Sequence, residues 1–254
     1  MLSEDERSAF ERDGFFLRPG FASSQTCAAM LEDVVSLCRN AGGPGLCEGA
    51  LVMPENNLAG REARQPEDRV SKVFRLHRRP AFRAFIEDPR VLGLVGSLLG
   101  PRIDCFLSQF IFKNPGAWGQ PWHQDSFYFP FDHSPQIGLW LAISEATLEN
   151  GCLRVVPGSH REPIHEHVPD RRPGANLGYV EIVDHDMSAA EPVLIQPGDL
   201  LVFHSHLMHS SEDNTSQDIR AAMVFHCAKS GTRITTPADV PVNDWMPLPP
   251  VPES

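Results

Sequence analysis

The sequence predicts an α+β protein with a mainly β core, in which helices come first along the chain and strands follow. Amphipathic helical patterns occupy much of the first hundred residues, up to Gly100-Pro101. Beyond them, short segments of β-type composition alternate with Gly, Pro, Asn and Asp. Many short strands at such spacing are typical of a sandwich or barrel, and we expect the preceding helices to pack on one side of the sheets.

Three helical patterns support this order. Ser3 and Glu6 can form a capping box, and Gly14 ends this first helix ahead of a short apolar run. A second helix starts after residue 23 or 24, and its apolar positions fall on one face: Cys27, Met30, Leu31, Val34 and Cys38. A third pattern covers about residues 80–99 and stops at a Gly-Pro pair.

The remaining chain divides into a loop, a strand-rich region and a tail. Residues 46–68 contain few periodic apolar positions, so we expect a mobile loop that could act as a lid. The last residues are proline-rich and predict an extended, irregular tail. The predicted strands are Ile103–Lys113, Trp122–Phe129, Gly138–Ser144, Cys152–Val156, Val193–Ile195, Asp199–Phe203 and Arg220–His226.

Composition excludes several classes of protein. The formal net charge is -11 and no run is rich in Lys or Arg, which argues against nucleic acid or an anionic membrane as the main partner. We see no signal peptide and no apolar stretch of ~20 residues, so we expect a cytoplasmic protein. The six cysteines form no CxxC pair, which argues against a zinc ribbon and favours reduced, buried thiols.

A histidine and an aspartate stand two residues apart in the aromatic stretch PWHQDSFYFP. On a strand, His123 and Asp125 would face the same side, and burying them unpaired would be costly. An imidazole and a carboxylate together suit a divalent metal, although a structural hydrogen-bonded pair is the alternative. Phe127 and Phe129 would share this face, either as an aromatic pocket wall or as plain core.

A downstream strand supplies candidates for a third ligand. It ends in His204, His206 and His209, and two histidines with one carboxylate form the facial triad that leaves open positions on iron(II). On an unbroken strand, His204 and His206 would lie on one face and His209 on the other. The spacing alone therefore does not choose among the three histidines. Arg220 follows eleven residues after His209 and could hold the far carboxylate of a metal-chelating diacid, or form a surface salt bridge.

Taken together, these motifs resemble the phytanoyl-CoA dioxygenase family of iron(II)- and 2-oxoglutarate-dependent oxygenases. The stretches that carry the resemblance are FERDGFFLRPGF, KNPGAWGQPWHQD, GLWLAISEATLENGCLRVVPGSH and PGDLLVFHSHLMHSS with the following Arg. The resemblance implies a double-stranded β-helix, which is a jelly-roll or cupin-like fold, with N-terminal helices packed on one sheet. It implies a single oxygenase domain over 1–254, with helical support and lid in 1–100, the β core in 101–230 and the tail in 231–254.

The resemblance also implies roles for residues. His209 becomes the third iron ligand beside His123 and Asp125, while Ser211 and Arg220 bind 2-oxoglutarate. His204 and His206 then become core or pocket-wall residues. Ser210 replaces a glycine that is usual in the family.

Further cofactor contacts follow from the same resemblance. Trp140 and Lys72 match a tryptophan and a lysine beside 2-oxoglutarate, with Lys113 as a rival to the lysine. Gln109 occupies a cofactor-lining position but is not the usual residue type. Asp125 is retained where relatives that halogenate carry a small residue, which implies a hydroxylase or a related oxidation.

The expected enzyme uses iron(II), 2-oxoglutarate and O2 to hydroxylate an unactivated C–H bond of a small organic substrate, releasing succinate and CO2. In a second hypothesis, the chain is a metal sensor or storage module in which His204 and His206 join His209 around zinc or copper. A third is a hydrolase or isomerase whose metal activates water. Neither alternative needs Arg220 or Lys72.

The long polar stretch 160–178 has its own two interpretations. It is rich in His and Arg and unusually long for a connection, and long loops are often functional. His165, His167, Arg171 and Arg172 could meet an anionic substrate, or the stretch is a solvated loop.

Overall fold

A large antiparallel sheet organises the molecule. The computed structural model describes residues 2–176, 178–235 and 243–251. Its strands are β1 (Phe15–Arg18), β2 (Gly45–Cys47), β3 (Ala50–Pro54), β4 (Val70–Phe74), β5 (Ile103–Lys113), β6 (Ile137–Ala142), β7 (Leu153–Val155), β8 (His167–Pro169), β9 (Val180–Ile182), β10 (Glu191–Val193), β11 (Leu200–His204), β12 (His209–Ser211), β13 (Arg220–Lys229) and β14 (Met246–Pro247). The helices are α1 (Glu4–Asp13), α2 (Ser24–Ala41), α3 (Pro80–Ile86), α4 (Pro89–Leu99) and α5 (Asp125–Tyr128).

The strands of the described residues form three sheets. The main sheet runs β1-β11-β6-β13-β5-β4-β3-β2, with β14 added to β5. A smaller sheet runs β10-β7-β12, and β8 pairs with β9 in a separate ribbon. An apolar cluster that includes Trp140 and Phe203 of the main sheet and Val155 and Val193 of the small one joins the two sheets face to face. The fold is therefore an α+β fold dominated by β structure, with a sandwich at its centre.

The helices cover the opposite face of the main sheet. Met30, Val34 and Leu37 of α2 are fully buried in one cluster with side chains of β5, β6, β11 and β13. Phe85 of α3 stacks on Phe225 of β13, with ring centroids 5.5 Å apart. Aromatic pairs in such geometry add to the free energy of apolar burial, so this face anchors the strands that carry the site.

The first two helices begin and end at the capping residues that the sequence predicts. Ser3 and Glu6 form the capping box of α1, and Gly14 ends it with a left-handed φ of 85°. Ser23 caps α2 by accepting from the Thr26 backbone N–H. The third predicted helix is wrong as a single element, because Asp88 and Pro89 start a new helix there. Proline cannot continue a helix but is favoured in its first turn.

Two other predictions are wrong. Residues 46–68 are not simply a loop, because the β2–β3 hairpin extends the main sheet and buries Ala50 and Val52. Trp122–Phe129 is not a strand, because residues 125–128 form a single helical turn. The predicted irregular tail contains β14, while 236–242 and 252–254 lie outside the described residues.

Within the described residues, no helix is long and apolar enough to cross a membrane. All six cysteines are described and free, and five of them are buried, as predicted. Burial raises the pKa of the Cys38 thiol to about 12, so it is protonated and inert at neutral pH.

Candidate active site

A cavity of about 880 Å³ opens inside the β core. Strands of the main sheet, β12 and the turn that precedes α5 supply its walls. Every residue predicted to bind metal or cofactor lines it: His123, Asp125, His209, Ser211, Arg220, Trp140, Lys72, Gln109 and also Lys113. The structure thus brings together residues that lie up to 148 positions apart along the chain.

The metal-ligating atoms converge at one point of the cavity. His123, Asp125 and His209 are all buried, and their ligand atoms lie within 4.8 Å of one another. The Nε2 atoms of His123 and His209 lie 3.6 and 3.8 Å from Asp125 Oδ1. This geometry fits a single divalent ion bound by two imidazoles and a carboxylate.

The backbone explains this convergence better than strand parity does. His123 and His209 exchange both backbone hydrogen bonds, at 2.9 and 3.0 Å, in an isolated antiparallel bridge. Asp125 then follows at the first position of α5 rather than on a continuing strand. The prediction that His123 and Asp125 converge is correct, but its reason, a shared strand face, is wrong.

Both histidines are oriented in the same way. The Nδ1 atom of His123 lies 2.8 Å from the Pro121 carbonyl oxygen, and that of His209 lies 2.9 Å from the Leu207 carbonyl oxygen. Donation at Nδ1 leaves Nε2 as the unprotonated nitrogen, which is the atom that can bind a metal. Burial, reinforced by the neighbouring His209, lowers the pKa of His123 well below its ordinary value. His123 is therefore neutral at physiological pH, which is the form that binds metals.

A buried cationic side chain, Arg220, also lines the cavity. Arg220 is 1% exposed, and its Nε and Nη1 atoms are buried without a hydrogen-bond partner. Its guanidinium lies 5.6 Å from the centroid of the Trp140 ring. Burial lowers the pKa of Arg220 to about 10, so the group is still charged at neutral pH. Because buried unpaired charges are costly, this arrangement fits an anionic ligand.

Lys113 lies beside this arginine. It pairs with Arg220 across β5 and β13, and its Nζ atom donates to Ser211 Oγ at 2.7 Å. Burial first and the Arg220 charge second lower the pKa of Lys113 well below its ordinary value. The Lys113 ammonium also donates to the carbonyl oxygens of Gly151 and Glu212, so its donors are used within the protein, whereas Arg220 keeps donors without a partner.

Lys72 lies nearer the histidines. Its Nζ atom donates to Gln120 Oε1 at 2.9 Å, and the Gln120 side-chain nitrogen lies 3.1 Å from His123 Nε2. The Lys72 ammonium also lies 4.7 Å from the centroid of the Tyr179 ring. The two rival lysines therefore line one cavity but donate to different partners, Lys72 to Gln120 and Lys113 to Ser211.

Sequence reasoning missed several polar residues of the site, of which His226 and Gln120 lie nearest the predicted metal ligands. His226 is buried, with its Nδ1 atom 3.6 Å from Asp125 Oδ2. An even number of positions separates His226 from Arg220 on β13, and residues at such spacing share one face of a strand. This spacing could have predicted that His226 faces the site. Gln120 contacts both Lys72 and His123, but no periodic signal precedes it.

Several other predicted residues do not line this cavity. Phe127 is 40% exposed and stacks on His167, whereas Phe129 does line the cavity. His204 and His206 lie next to each other, with ring centroids 5.1 Å apart, and neither belongs to the buried metal-ligand group. The prediction of a common site for His204, His206 and His209 is therefore wrong.

The charged residues of the 160–178 stretch also find other partners. Arg172 donates to the Asp170 carboxylate and to the Gly119 carbonyl oxygen. His165 lies between two carboxylates, and Arg171 is exposed. Since none of them lines the cavity, their predicted contact with an anionic substrate has no support in this geometry.

Comparisons with known proteins identify the family of the chain. The family model of phytanoyl-CoA dioxygenase matches residues 10–222. The peroxisomal phytanoyl-CoA dioxygenase of Bos taurus is 31% identical over 235 residues, covering 90% of this chain and 69% of the relative. The phytanoyl-CoA dioxygenase domain-containing protein 1 of Rattus norvegicus is 28% identical and is covered over 98% of both chains. The name of the Bos taurus relative gives the peroxisome as its compartment, whereas the sequence of this chain led us to expect the cytoplasm.

Solved structures share the fold. EctD from S. alaskensis with 2-oxoglutarate and 5-hydroxyectoine has a TM-score of 0.70 at 21% identity, over 94% of this chain and 80% of that one. The epimerase SnoN with Fe3+, α-ketoglutarate and nogalamycin RO also has a TM-score of 0.70, at 19% identity over 95% and 89% of the two chains. The family model spans most of the chain, and the chain therefore belongs to the phytanoyl-CoA dioxygenase family of iron- and 2-oxoglutarate-dependent oxygenases.

Proposed function

We propose that the protein hydroxylates an unactivated C–H bond of a small organic substrate, with decarboxylation of 2-oxoglutarate to succinate and CO2. One observation carries this proposal: the unpartnered Arg220 guanidinium opens into the same cavity as the His123, Asp125 and His209 cluster. A diacid that chelates a metal at one end needs both features. A metal-storage module or a metal-dependent hydrolase would need only the cluster of metal ligands.

The ligand set suits iron(II). His123, Asp125 and His209 would hold the ion as a facial triad, which leaves positions open for the keto acid and for O2. When bound, the iron supplies the oxidising chemistry, and the protein supplies placement and exclusion of water. The carboxylate of Asp125 occupies the position that halogenating relatives leave free, and this favours hydroxylation.

The polar groups suit 2-oxoglutarate. Arg220 and Ser211 would hold the distal carboxylate, since a guanidinium can donate two parallel hydrogen bonds to it. Lys113 would orient the Ser211 hydroxyl, because its ammonium donates to Ser211 Oγ and to two backbone carbonyl oxygens. Lys72 would lie near the metal-binding end of the molecule, because it reaches His123 through Gln120. The two lysines then serve opposite ends of the cofactor rather than competing for one.

The rest of the cofactor site is less polar. The Trp140 ring lies beside the Arg220 guanidinium and would pack against the carbon chain of the diacid. Gln109 lines the cavity with its side-chain nitrogen 3.5 Å from His226 Nε2, and its predicted cofactor contact stays a prediction.

The remaining cavity wall favours an organic substrate with an apolar body. The residues that form it include Leu51, Met53, Phe74, Trp118, Tyr128 and Tyr179. Glu55 and Asn176 add a hydrogen-bonded polar pair at 3.0 Å. Leu51 and Met53 belong to β3, so the hairpin within the 46–68 segment would form one wall of this pocket.

A spectroscopic test separates the hypotheses. Anaerobic addition of iron(II) and 2-oxoglutarate should produce a weak visible charge-transfer band, which neither a storage protein nor a hydrolase would give. Candidate substrates should then be screened for stimulated release of succinate. Stoichiometric iron binding without the band would contradict the proposed function.

A further inference from the structure

We propose a second metal site, separate from the iron site, at which Glu162, His165 and His185 bind a divalent transition ion such as Zn2+. The three side chains are partly buried, and their ligand atoms lie within 4.8 Å of one another. The ligand set, two imidazoles and one carboxylate, is one that zinc accepts, with water in the fourth position. This inference does not depend on the proposed enzymatic function.

The distances between the side chains support an ion at their centre. His165 Nε2 lies 3.0 Å and His185 Nε2 lies 3.2 Å from the same oxygen, Glu162 Oε2. Ligand atoms of a tetrahedral zinc with bonds of about 2.0–2.1 Å are separated by roughly 3.3 Å. Two of the three separations are therefore close to this value, and the third is at most 4.8 Å.

A fourth residue orients one of the ligands. Asp184 Oδ1 lies 3.2 Å from His165 Nδ1. A carboxylate at that nitrogen fixes the proton there and leaves the Nε2 lone pair for the metal, as is usual for metal-binding histidines. The carboxylates of Glu162 and Asp184 also balance the two charges of the ion.

Simple ion pairing explains the cluster less well. Without a metal, His165 must be protonated on both nitrogens to donate to Glu162 and Asp184 together. His185 would donate to the same Glu162 oxygen, while its own Nδ1 atom is buried without a partner. An ion on the two Nε2 atoms would bind both imidazoles in their neutral form, with Glu162 as the carboxylate ligand; the Nδ1 atom of His185 has no partner in either case.

The position of the site indicates a structural role. Glu162 and His165 precede the β8–β9 ribbon and His185 follows it, so the ion would close the ribbon at its base. The His165 backbone N–H donates to Gln124 Oε1 at 2.8 Å, and Gln124 stands between the iron ligands His123 and Asp125. Binding of zinc would thus brace the segment that carries two ligands of the catalytic metal.

The test counts zinc ions on the metal-stripped protein. Zinc also suits the iron site, so equilibrium dialysis and elemental analysis should give two equivalents for the wild type. The double variant His123→Ala/His209→Ala should keep one. His165→Ala/His185→Ala should also keep one, and the quadruple variant should bind none. Cobalt(II) in the first double variant should show the visible d–d bands of a tetrahedral site.

Controls separate a lost ligand from a lost fold. The exposed His133, changed to Ala, should leave both equivalents in place. The equivalent that the His165→Ala/His185→Ala variant retains at the iron site shows that its fold is intact. Asp184→Asn should weaken zinc binding about 10–100-fold, because it removes only the orienting carboxylate. Loss of all zinc binding in His123→Ala/His209→Ala, or a second equivalent that survives His165→Ala/His185→Ala, would overturn the proposal.

Discussion

Replacing Arg220 by Met should affect cofactor binding and stability in opposite directions. Methionine keeps much of the apolar volume of the arginine stem but removes its charge and its donors. Arg220 is 1% exposed, and its Nε and Nη1 atoms have no hydrogen-bond partner within the protein. The substitution therefore removes a costly buried charge and also removes the group proposed to bind 2-oxoglutarate.

The expected loss of affinity follows from the two free donors. A hydrogen bond between charged groups contributes about 1.5–3 kcal/mol, so two of them contribute about 3–6 kcal/mol. At about 1.4 kcal/mol for each factor of ten, the Kd for 2-oxoglutarate should rise roughly 10²–10⁴-fold. Ser211→Ala removes one uncharged donor and should cost only about 0.5–1.5 kcal/mol, roughly a 2–10-fold increase.

Two measurements on the same variants test this reasoning. Anaerobic titration of 2-oxoglutarate into the iron(II) protein, followed by the charge-transfer band, gives the Kd. Thermal unfolding without 2-oxoglutarate should give a higher Tm for Arg220→Met than for the wild type, and added 2-oxoglutarate should reverse that order. The exposed Arg171, changed to Met, is the matched control and should alter neither quantity. If Arg220→Met binds 2-oxoglutarate as tightly as the wild type, another cation holds the distal carboxylate.

Three further predictions concern the metal, packing and pH. His123→Ala should abolish succinate formation coupled to substrate, measured with the fold verified by circular dichroism; full activity would remove His123 from the iron site. Gly119→Ala should lower the free energy of unfolding in urea by about 1–3 kcal/mol, since its Cβ would overlap backbone atoms of β12, whereas Gly60→Ala meets nothing within 4 Å. Hydrogen bonding to Arg18 lowers the pKa of Glu6 to about 2, so this carboxylate stabilises the fold above about pH 4.5 and loses that effect as the pH falls toward 2. Glu6→Gln should therefore cost roughly 1 kcal/mol at pH 7, and urea melts of variant and wild type should converge near pH 2; a difference that is independent of pH would contradict the ion pair.

Elements whose ends depend on local chemistry could be predicted from the sequence. The capping box at Ser3, the cap at Ser23 and the left-handed Gly14 act within a few residues, and β5 has the predicted bounds of 103–113. The β2–β3 hairpin could not be predicted in this way. The hairpin is short, and Leu46 within it is 72% exposed, so it has no clear apolar pattern. It forms because β3 pairs with β4, a contact that the local sequence does not indicate.

The residue types of the active site were predictable, but their arrangement depends on contacts between distant parts of the chain. The Nε2 atoms of His123 and His209 face Asp125 because each Nδ1 binds the carbonyl two residues upstream, and because the two backbones pair directly. Neither condition produces a periodic pattern of residues that could be recognised in the sequence. The same two-residue pattern orients His167, whose Nδ1 lies 2.8 Å from the His165 carbonyl, yet His167 stacks on Phe127 outside the cavity. Local geometry therefore sets the direction in which a histidine points, while the strand pairing that surrounds it decides whether it reaches a metal.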